Sequence, residues 1–269
     1  MTLADGGPKD PGSRAAPVTL RRLFPDPAPA VDLDEAYRAP SVPSVAAPFL
    51  RANFVVSLDG SVEIGGKSAG LSSPADRQVF RALRGLCDVV LVGAGTVRAE
   101  RYRKVRLPPA RQQWRAALGL APVPRLAVVS GELALDLDYP LFRDDGPPPL
   151  LITTSAAPAS RRRAAARWAE VVVVAGDRRV DPALVLDALI KRGLHHILCE
   201  GGPTLLASLL TAGLVDELCL SIAPLLAGPA GRRLLDGSPL VAPVGLELAQ
   251  VLTDGSTLFV RYCNTDRTR

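Results

Sequence analysis

Three short segments of the chain combine polar side chains with glycines in patterns suited to ligand binding. The first reads NFVVSLDG and spans residues 53–60, which places Ser57 and Asp59 just after an apolar stretch. Groups past the C-terminal end of a strand lie where open α/β sheets bind ligands. Asp-Gly is also a common turn pair, so the spacing alone supports a site and a plain turn equally.

The other two segments are glycine turns, each lying between an apolar run and a helical pattern. One reads VGAGTV (residues 92–97) and the other reads EGGPTL (residues 200–205). Glycine lets a backbone approach a phosphate closely, and free N–H groups at a helix start bind anions. The first turn lacks the third glycine of a standard dinucleotide fingerprint, and either turn alone fits a simple connection. Two such turns in one sheet favour a dinucleotide site more than either does alone.

A basic run, Arg98 to Arg106, follows the first glycine turn. It could hold a phosphate of a cofactor or substrate, although such runs are more often solvated loop faces. The two histidines, His195 and His196, are adjacent and have no metal-ligand spacing. We therefore expect no metal site.

Composition limits the class of protein. The chain has 269 residues, of which 48% are hydrophobic and only 4% aromatic, so its apolar content is mostly Ala, Val and Leu. That composition suits parallel strands covered by helices. The net charge of +5 is spread along the chain, which favours attraction of phosphorylated small molecules. No nucleic-acid-binding motif is present, so a nucleic-acid partner is not expected.

The four cysteines form no CxxC pair, and we expect free thiols in a reducing cytoplasm. The first residues show no secretory signal pattern, and no apolar run reaches the ~18 residues that a membrane span needs. The sequence thus predicts a cytoplasmic protein without a membrane partner.

Strands and helices alternate along the chain and would position the three segments. Strands are predicted at 49–57, 88–93, 125–130, 149–154, 170–176, 195–200 and 216–226, and helices at 74–86, 158–168, 182–192 and 203–212. This alternation predicts an α/β fold with a mostly parallel central sheet and helices on both faces. Residues 245–254 and 256–263 predict a C-terminal antiparallel hairpin.

Three regions complete the predicted organisation. Residues 1–17 are rich in Gly, Pro and charge, which predicts a disordered tail. Residues 18–48 are predicted to be an extended arm that lies on the domain, and 49–269 to be one packed domain. Within that domain, residues 101–124 show no clear period and are predicted to be a long loop.

Together and in this order, the three segments resemble the reductase domain of the riboflavin biosynthesis proteins. The matching stretches are residues 53–100, 198–210 and 214–228. The chain looks most similar to the stand-alone pyrimidine reductase-like proteins of actinobacteria. The resemblance implies a dihydrofolate-reductase-like fold and a homodimer. It also implies NADPH-dependent reduction of a ribosylaminopyrimidine 5′-phosphate to its ribitylamino form.

The resemblance also implies roles for individual residues. The implied cofactor-binding residues are Gly93, Gly95, Thr96, Val97, Gly201, Gly202, Thr204 and Leu205. The implied substrate-binding residues are Asn53, Ser57, Ser72 and Arg84, the last near the substrate phosphate. Asp59 and Glu200 are the implied catalytic carboxylates. Asp59 would stabilise an iminium or relay a proton, and Glu200 would order a substrate hydroxyl or a water.

Three departures bear on the substrate. Asn53 stands where bifunctional bacterial members have lysine, and in this the chain resembles the fungal and archaeal reductases. The zinc-deaminase signature of the bifunctional proteins is missing from the sequence. Glu100-Arg101-Tyr102 stands where relatives often have Asp-x-Pro. Dihydrofolate reductase-like activity on a pterin, or NADP binding without turnover, therefore stay open as alternatives.

Overall fold

The computed structural model of the chain describes residues 18–39, 48–237, 239–265 and 267. Within them one sheet runs through the molecule in the order β1-β9-β10-β8-β2-β7-β3-β4-β5-β6. Its strands are β1 Arg21–Phe24, β2 Phe49–Ser57, β3 Val89–Gly93, β4 Arg125–Val129, β5 Leu150–Thr154, β6 Glu170–Val174, β7 His196–Cys199, β8 Glu217–Ala223, β9 Glu247–Thr253 and β10 Leu258–Cys263.

The seven strands from β8 to β6 are parallel, and β10, β9 and β1 continue the sheet in antiparallel register. The mostly parallel sheet and the closing hairpin of β9 and β10 are therefore confirmed. Strands β2, β7 and β3 are neighbours. Because parallel strands end at the same edge, the three candidate segments of the sequence meet there.

Helices cover both faces, as predicted. They are α1 Leu33–Ala36, α2 Pro74–Leu86, α3 Ala94–Glu100, α4 Pro109–Ala117, α5 Pro140–Arg143, α6 Ala159–Ala165, α7 Pro182–Ile190 and α8 Pro203–Thr211. Alternate residues of a strand point to opposite faces. Val90 packs with Leu83 of α2 in one hydrophobic cluster, and Leu91 packs with Leu206 of α8 in the other. None of the described helices is both long and apolar enough to span a membrane.

Helix α2 begins and ends where the sequence predicts, because its signals are strong. The Ser73 hydroxyl accepts a hydrogen bond from the Asp76 N–H at 3.1 Å, and Pro74 occupies the first helical position. Val79 and Leu83 face the core. This helix forms one side of the cleft described below. The prediction for α6 was too long, since the helix ends at Ala165.

The prediction of a long loop at 101–124 is wrong, because α4 occupies 109–117. The inward-facing residue of α4 is Arg115, a charged residue that is fully buried. The sequence of this helix therefore shows no regular spacing of apolar residues. Its guanidinium donates to the carbonyls of Gly85, Cys87 and Ala121 at 2.8–2.9 Å. Two of these acceptors lie at the end of α2, so the arginine stabilises that helix terminus.

The arm contributes a strand to the sheet and does not merely lie on the domain. Strand β1 pairs with β9 and forms the sheet edge that the hairpin was expected to form. Leu20 and Tyr37 are buried, and Arg111 pairs with Asp34 of α1. These contacts explain why the segment joins the fold. The predicted tail at 1–17, and residues 40–47 of the arm, lie outside the described residues.

Candidate active site

A cleft of about 520 Å³ opens at the edge where the parallel strands end. Its walls come from β2, α2, the end of α3 and the turn after β7. Six of the residues predicted for the site line it, namely Asn53, Ser72, Arg84, Thr96, Glu200 and Gly202. The topology therefore brings residues from all three sequence segments into one cavity.

The two glycine turns touch one another and form one wall. The Gly93 N–H donates to the Gly201 carbonyl at 2.7 Å. A Cβ on Gly202 would lie 2.7 Å from Thr96 Oγ1, and one on Gly201 would lie 3.2 Å from the Phe54 ring. Gly201 also has a φ of +106°, a backbone conformation that residues other than glycine rarely adopt. Larger residues at either glycine would push the turns apart.

Two helices begin at this wall without a side-chain cap. The N-cap residues of α3 and α8 are Gly93 and Gly202, which have no side chain to pair with the first N–H groups. Gly95 is exposed, and a Cβ there would meet only open space. Free N–H groups beside open backbone fit the phosphates of a dinucleotide. The residues present are thus compatible with the nicotinamide cofactor that the resemblance implies.

Glu200, at the start of the second glycine turn, is held by two side chains. Arg84 donates through Nε to Oε1 at 2.7 Å and through Nη2 to Oε2 at 2.6 Å. The Tyr102 hydroxyl also donates to Oε2, at 2.6 Å. The Glu200 side chain is only 1% exposed. Arg84 was expected near the substrate phosphate, but in the structure its guanidinium is committed to this carboxylate.

Electrostatics keep the partners of Glu200 in fixed protonation states. Burial alone would lower the pKa of the Arg84 guanidinium, but the Glu200 carboxylate outweighs this and the pKa lies above its ordinary value. Burial, with the Glu200 charge, raises the pKa of the Tyr102 phenol well above its ordinary value. Arg84 therefore stays charged and Tyr102 stays a neutral donor over the physiological pH range.

Asp59 lies beside the cleft and not in its lining. Its carboxylate accepts hydrogen bonds from the Ser57 hydroxyl at 2.5 Å, the Ala227 N–H at 3.0 Å and the Gly228 N–H at 2.7 Å. The Ser57 hydroxyl in turn accepts from the Ser61 N–H at 2.9 Å. These donors, Ser57 first, lower the pKa of Asp59 to about 2. Ser57 and Asp59 thereby join the turn after β2 to the loop after β8.

The other predicted cofactor residues differ in what they present to the cleft. The Val97 side chain is fully buried in the core, so any contact it makes with a ligand would use its backbone. Thr204 is exposed on the first turn of α8. Leu205 packs against the core cluster beneath α8, 3.9 Å from where a Cβ on Gly93 would lie.

Sequence reasoning missed several residues of the cleft. Tyr102 and Phe80 surround Arg84, with its Cζ 4.1 Å from the Phe80 ring centre and 5.7 Å from that of Tyr102. The i, i+4 spacing of Phe80 and Arg84 on α2 was the available signal. Asp76 accepts the Ser72 hydroxyl and also lines the cleft.

The basic run is only partly available to a ligand. Arg103 forms a bidentate pair with Asp144 at 2.9 Å, and Arg106 pairs with the same carboxylate at 3.4 Å. Arg77 and Arg101 line the cleft, and no carboxylate of the described residues forms an ion pair with either. Asn53 also lines it, and its buried Oδ1 has no hydrogen-bond partner within the described part of the chain.

Comparison with known proteins places this geometry in a family. Residues 48–260 match the model of the RibD C-terminal domain. A 2,5-diamino-6-ribosylamino-4(3H)-pyrimidinone 5′-phosphate reductase from Methanothermobacter thermautotrophicus is 35% identical over 219 residues, which cover 80% of this chain and 97% of that protein. The riboflavin biosynthesis protein RibD of Mycobacterium tuberculosis is 30% identical over 67% of this chain, but the match spans only 43% of that longer protein.

A solved structure shares the whole fold. A pyrimidine reductase-like protein from Corynebacterium diphtheriae superposes with a TM-score of 0.75 at 30% identity, over 87% of this chain and 98% of that one. The residues that match the family model include every residue that lines the cleft. The chain belongs to the RibD C-terminal domain family.

Proposed function

We propose that the protein is a cytoplasmic NADPH-dependent reductase that converts a ribosylaminopyrimidine 5′-phosphate to its ribitylamino form. The observation that carries this proposal is the cleft itself. It combines two touching glycine turns with a paired carboxylate, that of Glu200, at the start of the second turn. The names of the similar archaeal reductases support the same reaction class.

The glycine wall would hold the cofactor. The open backbone at Gly95 and the uncapped starts of α3 and α8 offer N–H groups to its phosphates. Bound NADPH supplies the hydride, and the protein supplies position and electrostatics. Gly201 and Gly202 let the second turn lie against Phe54 and Thr96, because no Cβ projects from either residue.

The opposite side would hold the substrate. Arg77, Arg101 and Lys104 are the cleft cations without a carboxylate ion pair among the described residues, and of these we assign Arg77 and Arg101 to the 5′-phosphate. The unpaired Asn53 Oδ1 is a hydrogen-bond acceptor suited to an amino group of the pyrimidine. Asn53 replaces the lysine of the bifunctional bacterial proteins, and the archaeal relatives are named for a diamino substrate. We therefore assign the 2,5-diaminopyrimidinone as the substrate.

Glu200 and Asp59 then have different roles in the reaction. Reduction adds a hydride at C1′ of the ring-opened imine and a proton to the substrate. Glu200 Oε1 accepts only one of the hydrogen bonds from Arg84 and Tyr102 and has a further lone pair, so the fixed carboxylate can accept from a ribose hydroxyl or an ordered water. Asp59 keeps the turn after β2 joined to the loop after β8, and Arg232 of that loop lines the cleft.

Activity is tested by following NADPH oxidation with three substrates in parallel. These are the 2,5-diaminopyrimidinone ribosyl phosphate, its deaminated uracil counterpart and dihydrofolate. We expect turnover of the diamino compound to exceed that of the other two. Turnover of dihydrofolate alone would overturn the substrate assignment. NADPH binding with no turnover of any of the three would indicate a binding module.

The cofactor wall is tested separately by substitution. In Gly95→Ala the new methyl group enters open space, so the fold should be kept. We expect NADPH affinity, measured by nucleotide fluorescence, to fall about tenfold because the methyl group occupies the cofactor's approach. Gly245→Ala is the matched control, since a Cβ there also meets only open space but lies outside the cleft. Equal affinity of both variants for NADPH would contradict the proposed wall.

We also propose a homodimer. Leu58, Leu225 and Leu226 are 61%, 42% and 77% exposed, and Leu58 N–H donates to the Leu225 carbonyl at 2.8 Å. Adjacent exposed leucines are typical of contact surfaces. Light scattering should give the mass of two chains for the parent and of one chain for Leu226→Glu. A parent that stays monomeric would contradict the proposal.

A further inference from the structure

Tyr102 and Arg84 enclose Glu200 from two different elements, and neither residue was assigned this role by the sequence. We propose that both are positioning residues, which hold the Glu200 carboxylate in one orientation for the reduction. This inference rests on the proposed function, because it concerns the same cleft. We call Phe80, Arg84, Tyr102 and Glu200 the carboxylate clamp.

The geometry of the clamp fixes the carboxylate in its plane. Both Glu200 oxygens accept from Arg84 in a side-by-side pair, at 2.7 and 2.6 Å, and Tyr102 adds a third bond at 2.6 Å. Bidentate guanidinium–carboxylate pairs restrict orientation more than a single bond does. The Phe80 and Tyr102 rings lie at 4.1 and 5.7 Å from the Arg84 Cζ, which fixes the arginine as well.

A turn at the end of α3 places Tyr102 beside Glu200. The helix ends at Glu100, and Arg101 takes a left-handed conformation with φ of +50°. The chain then folds back, so that Tyr102 N–H donates to the Val97 carbonyl at 3.1 Å. The segment that departs from the family pattern therefore supplies the third donor to the carboxylate.

The groups around Glu200 differ in charge. Arg84 is the cation in contact with it, and Tyr102 is a neutral donor. The nearby thiols of Cys87 and Cys199 both have a pKa raised to about 12, first by burial, and Glu200 raises them further. Both thiols therefore stay neutral at working pH. Arg84 is thus the cation that faces Glu200 in the clamp, and the carboxylate keeps one lone pair on Oε1 for the substrate.

Tyr102→Phe removes one donor and leaves the ring. The carboxylate then keeps only its Arg84 pair and is held less firmly in one orientation. We expect kcat to fall about tenfold, with NADPH affinity changed by less than about twofold. Arg84→Lys keeps the charge but loses the bidentate pair, and should lower kcat by about a hundredfold.

Tyr262→Phe and Arg81→Lys are the matched controls, since both residues lie outside the cleft lining. They should keep the parental kcat. If Tyr102→Phe keeps it too, the clamp is wrong. Carbon-13 NMR of carboxyl-labelled glutamate, with Glu200 assigned by Glu200→Gln, tests the clamp without turnover. The Glu200 carboxyl signal should shift in Tyr102→Phe relative to the parent, because the carboxylate loses one donor, and an unmoved signal would overturn the inference. Inactivity of the parent with every substrate would refute the proposed function and leave this test standing.

Discussion

At the scale of one residue, Asp59 illustrates how a carboxylate near a cleft can hold the surrounding loops together. Its oxygens accept from the Ser57 hydroxyl and from the N–H groups of Ala227 and Gly228. A carboxylate with three donors stays ionised to low pH, which makes it a poor source of protons at neutral pH. Its contribution is the spacing between the turn after β2 and the loop after β8.

This bonding predicts a pH dependence of the loop. The folded-state pKa of Asp59 is about 2, below the ordinary 3.8. A lowered pKa contributes stability that is present above about pH 4 and is lost as the pH falls towards 2. Hydrogen-exchange protection at Ala227 and Gly228 should fall over that window in the parent. Asp59→Asn should start with weaker protection and show no such fall.

The exposed Asp187→Asn variant is the control for this measurement and should behave as the parent. Protection that falls equally in the parent and in Asp59→Asn would mean that another group governs the loop.

Arg101 allows a second prediction at this scale. It lines the cleft and has no ion pair with the described carboxylates, whereas Arg106 is paired with Asp144. Arg101→Ala should raise KM for the phosphorylated substrate about tenfold, because a charged hydrogen bond to phosphate is lost. KM for the dephosphorylated compound should hardly change. Arg106→Ala is the control, and equal effects of the two variants on KM would argue against a phosphate role for Arg101.

At the scale of elements, α4 and α2 depend on one buried arginine. Arg115 of α4 donates to Gly85 and Cys87 at the end of α2, and no part of its side chain reaches solvent. Arg115→Met leaves those carbonyls without donors. We expect the free energy of unfolding to fall by about 2–4 kcal/mol.

Urea unfolding measures this loss of stability. Gln113→Met, on the exposed side of the same helix, should change stability by less than about 0.5 kcal/mol. If the two variants are equally stable, Arg115 does not stabilise the end of α2.

Local signals in the sequence account for some elements and not for others. Ser73, Pro74 and the spacing of Val79 and Leu83 define α2 completely. Helix α4 could not be predicted, because a charged residue occupies its inward position. The meeting of the glycine turns follows from strand order once the sheet is known to be parallel. The pairing of Arg84 with Glu200, 116 residues apart, depends on tertiary packing that no local pattern encodes.

At the scale of the whole molecule, the sheet has a parallel part that carries the cleft and an antiparallel part completed by the arm. Strand β1 covers the edge of β9, and α1 adds the pairing of Asp34 with Arg111. An uncovered edge strand presents unpaired backbone groups that promote association. The arm thus belongs to the stability of the domain.

Two shortened chains test this role of the arm. A chain that begins at Val18 retains β1 and α1, whereas a chain that begins at Pro40 lacks both. The second should melt at least about 5 °C lower and should form aggregates on size-exclusion chromatography. Equal melting temperatures for the two chains would show that β1 contributes little to the fold.

The contact between the glycine turns has a consequence for how this architecture can diverge. One wall of the cleft is made of main chain, held by a single N–H to carbonyl bond between Gly93 and Gly201. Other lining groups are side chains, among them Asn53, Arg84 and Tyr102. Substitution of side chains can therefore change what the cleft binds, whereas Gly201 and Gly202 have almost no room for a side chain. Related proteins of this architecture would keep these two glycines and differ in the side chains around the cleft.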